Sequence, residues 1–81
     1  FHRYSDDPAE FTAVARAVRR WLDEEGFRGA EVHLNEWNYL PDGDWSPLLA
    51  AGQGETRRRW AERMHGAEGA AFSAAVLCEL Q

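Results

Sequence analysis

Glu31-Val32-His33-Leu34-Asn35-Glu36-Trp37-Asn38 is the stretch around which the rest of the chain is organised. Its apolar and polar residues alternate as a pleated strand requires, with Val32 and Leu34 to one side and His33 and Asn35 to the other. Glu36 shares the parity of Val32 and Leu34. That puts a carboxylate on the apolar side, at the C-terminal end of a strand over 31–38. Such a group is costly unless it is paired or has chemistry to do. Spacing alone leaves it three roles: general acid, nucleophile, or partner of a neighbouring base. An ion pair at a strand end is the ordinary one.

Working back from this strand, Phe27-Arg28-Gly29 is a short connection and Gly26 a natural helix stop. The spacing predicts a helix from about Pro8 to Glu25. Phe11, Val14, Ala15, Val18, Trp21 and Leu22 form one apolar stripe, while Arg16, Arg19, Arg20 and Asp23 fall mostly opposite, with Arg19 and Asp23 able to pair. Ser5-Asp6-Asp7-Pro8 is the start signal, capping oxygens followed by proline near the first helical position. Before it, Phe1-His2-Arg3-Tyr4 reads as the tail of a strand, with His2 and Tyr4 on one side. The sum is a strand–helix–strand unit of the length expected for a parallel crossover, roughly 30 residues or more. A right-handed crossover brings His2, Tyr4 and Glu36 to one rim of the sheet.

Downstream, Tyr39-Leu40-Pro41-Asp42-Gly43-Asp44-Trp45-Ser46-Pro47 carries turn chemistry and two exposed-looking aromatics, and Gly52 and Gly54 continue the loop. Helix resumes near Glu55, with Trp60 and Met64 four apart, and pauses at Gly66. A second, alanine-rich helix follows over Ala67–Leu80. Phe72, Val76 and Leu80 stack along it, and Ala70, Ala71, Ala74 and Ala75 are small enough for close approach to a sheet.

The totals set bounds. Eighty-one residues make at most one domain with a limited core, and 44% apolar residues exclude compositional disorder. A formal charge of −5 argues against nucleic acid and anionic membranes as partners. No run approaches the roughly 20 apolar residues of a membrane span. A single cysteine, Cys78, excludes an internal disulfide and a multi-cysteine metal knot; in its alanine-rich helix it reads as a small buried residue.

His33-Leu34-Asn35-Glu36-Trp37-Asn38 resembles the nucleophile strand of retaining glycoside hydrolases built on the (β/α)8 barrel. The closest resemblance is to glycoside hydrolase family 39, the β-xylosidase and α-L-iduronidase family, whose seventh strand ends in a Thr-Glu-Trp-Asn-like motif. His2-Arg3-Tyr4 is similar to the end of that family's sixth strand, where a His-x-Tyr pair lines the sugar site. The order of elements also fits over nearly the whole chain. The resemblance implies an α/β fold, a partial TIM barrel from about the end of strand 6 through helix 7. Residues 1–81 would then be a fragment of a catalytic barrel domain, cut from a longer protein.

The same resemblance implies the roles. Glu36 would attack the anomeric carbon, Tyr4 would hold or protonate its carboxylate, and His2 would bond a sugar hydroxyl. Trp37 and Asn38 follow the motif and stand with them as substrate-binding candidates. Retaining chemistry needs two carboxyl groups about 5–5.5 Å apart, at the C-terminal ends of barrel strands. Two departures matter. Asn35 stands where the family has threonine, and Asn-Glu is also how the acid/base strand of these enzymes reads, so the acid/base role stays open for Glu36. No other segment offers a second strand-end glutamate, so the partner carboxylate is expected outside this chain.

The implied partners are a carbohydrate substrate and the rest of the parent barrel, with no cofactor. Tyr39 and Trp45 are candidates for stacking on a sugar ring, against the plainer expectation, for Trp45, that it packs on its own loop. His33 and Glu36 have opposite parity and make a poor metal pair. His65 is expected on a helix surface, and Asp42-Gly43-Asp44 as a turn rather than a calcium loop. Arg57-Arg58-Arg59, flanked by Glu55 and Glu62, reads as a solvated helix face. The other class of function consistent with the sequence is a non-catalytic α/β carbohydrate-binding or interaction module.

Overall fold

The computed structural model describes residues 1–49 and 54–81. It is mixed α/β, mostly helical, with a two-stranded parallel sheet. In order come strand β1 (His2–Ser5), helix α1 (Ala9–Glu24), strand β2 (Glu36–Tyr39), a 3-10 turn (Pro41–Gly43) and a four-residue helix α2 (Ser46–Leu49). Helices α3 (Gly54–His65) and α4 (Ala67–Glu79) complete it. Gly52, expected in the long loop, lies outside the described residues.

The ends of α1 follow from local chemistry. Asp7 Oδ1 accepts the Ala9 amide at 2.9 Å, and Pro8 already has helical dihedrals, so aspartate caps and proline opens the first turn. At the other end Gly26 adopts φ 87°. Its amide bonds the Asp23 carbonyl at 3.2 Å, and the Phe27 amide reaches Leu22 at 2.7 Å. This pair of bonds is the Schellman closure that a left-handed glycine permits. Arg19 then fastens the connection, donating to the carbonyls of Phe27, at 2.7 Å, and Ala30, while pairing with Asp23 at 2.9 Å.

β1 and β2 pair in parallel with His2 opposite Glu36, Arg3 opposite Trp37, Tyr4 opposite Asn38 and Ser5 opposite Tyr39. The paired strand is shorter than the 31–38 expected and shifted toward its C-terminal end. Residues 31–35 lie before the start of the ladder in this register and form no strand, although Leu34 packs against the core. The Phe1 ammonium bonds the His33 carbonyl at 2.6 Å, and the Asn35 amide bonds the Phe1 carbonyl at 3.1 Å. Glu36 therefore opens β2 rather than closing it.

The buried side of the sheet also differs from the expectation. Partners in a parallel ladder share a face, so Arg3, Ser5, Trp37 and Tyr39 lie together. The core cluster is Phe11 of α1, Tyr39 of β2, and Phe72 and Val76 of α4, with Trp37 and Leu34 packed against it. Phe11 meets Trp37 edge-on at 5.9 Å and Phe72 at 5.6 Å between ring centroids, and Tyr39 lies 5.0 Å from Phe72. The helices cover this face. Glu36, of opposite parity to Trp37 and Tyr39, is exposed on the other. Val32 and Leu34 precede the ladder, and although Leu34 packs on the core, the buried face of the paired strand is set by the two aromatics within it.

On α4 the buried stripe is Gly69, Phe72 and Val76. Ala70, Ala71 and Ala74 point to solvent rather than onto the sheet, and Cys78, two residues past Val76, is exposed instead of buried. Leu80 is 37% exposed. A helix apolar on nearly all sides gives no pattern from which to choose its inner face.

The radius of gyration is 15.5 Å, against about 12 Å for a compact domain of this length. One sheet face is uncovered, and Trp21 and Phe27 at the far end of α1 are 58% and 62% exposed.

Candidate functional site

The uncovered face carries His2 and Tyr4 from β1 and Glu36 and Asn38 from β2. Two alternating side chains on each of two strands in register make a patch of four. All four were singled out from sequence, and His2, Tyr4 and Glu36 converge as the crossover implies: His2 stands opposite Glu36, and the Tyr4 hydroxyl donates to Glu36 Oε1. The hydrogen bond to Glu36, then desolvation and the carboxylate charge, raise the Tyr4 phenol above its ordinary value. The phenol keeps its proton and directs it at the carboxylate.

Trp45 completes the site from the loop after β2. Its ring meets that of Tyr4 at 4.9 Å between centroids and 64° between planes, an edge-to-face contact, and it remains 40% exposed. It is thus neither folded into its own loop nor free of protein contact. Asn38 lies on the same face, and its Oδ1 accepts the Tyr39 amide at 2.8 Å. Trp37 is not brought here: it lies on the opposite face against Phe11. His33 is exposed and bonds Glu31 at 2.9 Å, outside the patch.

The patch is an open surface. Two recesses of about 360 and 440 Å³ lie elsewhere, around α3 and the loop of residues 42–47 and between α3 and the start of α4, and Glu36 lines neither. Among the described residues no group of three or more histidine, cysteine, aspartate or glutamate side chains is placed to hold a metal ion. No helix is long and apolar enough to cross a membrane among these residues.

A second polar cluster, not foreseen from sequence, lies at the other end of β2. Arg63 grips Asp42 with both terminal nitrogens, at 2.6 and 3.1 Å, and reaches Glu68 through Nε at 2.9 Å. Tyr39 donates to the same Glu68 oxygen at 2.8 Å, and Arg63 Nη2 donates to the Tyr39 hydroxyl at 3.3 Å. Arg63 holds Asp42 below the usual carboxylate range; Arg63, then Tyr39, does the same for Glu68. Burial, then the bond to Glu68, pushes the Tyr39 phenol up.

The cluster's sequence signal was spacing. Arg57, Trp60 and Arg63 recur every three residues, whereas Arg58 and Arg59 turn to Glu55 and Glu62 as an ordinary solvated face. His65 lies on the helix surface, and Asp42-Gly43 makes the turn, both as expected.

No family model, curated protein or solved structure matches the chain.

Proposed function

We propose that Glu36 is the nucleophile of a retaining glycosidase and that the chain is a segment of its (β/α)8 barrel, from about the end of strand 6 through helix 7. The observation that carries this reading is the hydrogen bond from Tyr4 to the Glu36 carboxylate, on the sheet face away from the helices. In a barrel that face is the interior, and neighbouring strands would convert the open patch into a lined pocket. Support comes from this pairing of side chains rather than from position along the strand, since Glu36 opens β2.

The chemistry follows from the groups present. The Tyr4 hydroxyl fixes one carboxylate oxygen, leaving the other to attack the anomeric carbon. A carboxylic acid from another strand, outside this chain, protonates the departing oxygen. The covalent glycosyl ester formed on Glu36 is then opened by water, which the same outer carboxylate deprotonates. His2 and Asn38 share the face with Glu36 and would bond sugar hydroxyls, and the exposed part of Trp45 would offer an apolar surface to the ring. Trp37, packed on Phe11, contributes by holding β2 against α1.

A non-catalytic sugar-binding module is the second reading. The open patch with its half-exposed tryptophan favours it.

The test is azide rescue of the intact protein. Glu36→Ala is expected to abolish glycoside hydrolysis, and azide to restore turnover with a glycosyl azide of inverted configuration, because the small anion takes the place of the missing nucleophile. A retained-configuration azide would assign Glu36 as the acid/base. Unchanged hydrolysis by Glu36→Ala would overturn both roles, and sugar binding without hydrolysis would favour the module.

A further inference from the structure

The geometry points to Arg57, Trp60 and Arg63 as positioning residues: one face of α3 holds the loop of residues 42–48 so that Trp45 stays against Tyr4 at the Glu36 patch. Spacing of three residues aligns them along one side of the helix. They meet the loop in reverse order. Arg63 takes the Asp42 carboxylate at 2.6 and 3.1 Å, Trp60 Nε1 donates to the Asp44 carbonyl at 3.0 Å, and Arg57 Nε donates to the Pro47 carbonyl at 2.9 Å. Arg57 Nη2 reaches Leu48 as well, at 3.3 Å.

Each contact answers a need of the loop. Asp42 adopts φ 57°, a conformation that a non-glycine residue keeps only when its surroundings hold it. A two-point guanidinium grip supplies that hold and fixes the direction of the carboxylate. The Asp44 carbonyl points into α3, while the Asp44 carboxylate takes the Ser46 amide and hydroxyl, each at 2.8 Å. Trp45 therefore sits between two fixed residues, with its indole set 4.9 Å from the Tyr4 ring. Through Tyr39, the same Arg63 also ties this loop to the end of β2. The role of the held loop in sugar binding rests on the reading of the Glu36 patch given above. Its attachment to α3 does not.

The experiment is nuclear Overhauser contact between the Tyr4 and Trp45 rings in the wild-type protein and in four variants. Arg63→Lys keeps the charge and loses the two-point grip. Asp42→Asn keeps a residue tolerant of positive φ and removes the charge. Trp60→Phe deletes the indole donor together with part of a buried ring, and Glu62→Gln is a control on the opposite, solvated face. The expected result is loss of the ring contacts in Arg63→Lys and Asp42→Asn, weakening in Trp60→Phe, and no change in Glu62→Gln, with helical circular dichroism preserved. Ring contacts that persist in both Arg63→Lys and Asp42→Asn would overturn the assignment. Should Arg63→Lys unfold, the exposed Asp42 makes Asp42→Asn decisive by itself. Failure of azide rescue, with the ring contacts responding as stated, would remove the glycosidase reading and leave the loop's attachment to α3 standing.

Discussion

The two faces of the β1–β2 sheet are made from alternate residues of the same two short strands, yet they are held in different ways. On one face Trp37 and Tyr39 enter an aromatic cluster with Phe11 and Phe72, and Arg3 reaches Glu10 of α1. On the other, the Tyr4 hydroxyl donates to Glu36, the Tyr4 ring meets Trp45, and Asn38 Oδ1 accepts the Tyr39 amide. Burial of aromatic area stabilises the first face, whereas exposed polar contacts contribute little to folding. The contrast teaches where the chain can spend residues on something other than stability. The second face is free to carry a carboxylate because the first already secures the strands.

Breaking the covered face should have the largest effect. Phe11 is fully buried at the junction of α1, α4 and β2, and Phe11→Ala is expected to cost about 3–5 kcal/mol. A chain of this length has a total stability of about 4–12 kcal/mol, so the variant should show a much lower urea midpoint or no cooperative transition. An unchanged midpoint would mean that the cluster does not hold the sheet.

The open face should respond in its titration instead. The Tyr4 phenol is raised above the ordinary value of about 10, with its bond to Glu36 as the largest cause. Glu36→Gln removes the charge and should bring the tyrosine back toward that value while leaving the urea midpoint in place. A group whose folded pKa lies above its unfolded one contributes stability that is present below about pH 10 and lost as pH rises through the folded value. Alkaline pH should therefore release Tyr4 from Glu36. Selective labelling of the tyrosine rings separates Tyr4 from Tyr39, whose phenol is raised chiefly by burial. A Tyr4 titration indifferent to Glu36→Gln would contradict the pairing.

The same two faces show what was legible in sequence. The bounds of α1 were, because Asp7-Pro8 and Gly26 act through their own backbone geometry and need no tertiary partner. So was the convergence of His2, Tyr4 and Glu36, which needs only a parallel crossover and period-two parity. The buried face was not. A run of alternating residues shows which side chains share a side, but a helix packing from elsewhere decides which side is covered. Here the ladder starts at Glu36, so Trp37 and Tyr39 set the buried face of the paired strand, while Leu34, ahead of the ladder, packs on the same core.

Two other features were hidden for different reasons. The exposure of Cys78 and the alanines of α4 was lost in a helix with apolar residues on most sides. The α3 clamp was hidden by reading Arg57-Arg58-Arg59 as one block, when helical spacing sends Arg57 to the loop and its neighbours to glutamates. A three-residue period across Arg57, Trp60 and Arg63 is the signal that separates them.

If Glu36 is the nucleophile we propose, the carboxylate on the open face forms a covalent bond to sugar. A 2-fluoro-glycoside slows opening of the covalent intermediate by withdrawing charge from the anomeric centre, so the nucleophile stays labelled. After treatment of the intact protein, peptide mass analysis is expected to find the sugar on Glu36, with labelling abolished in Glu36→Gln. A label on a different carboxylate, or none on any peptide of a hydrolytically active protein, would rule out Glu36 as the nucleophile.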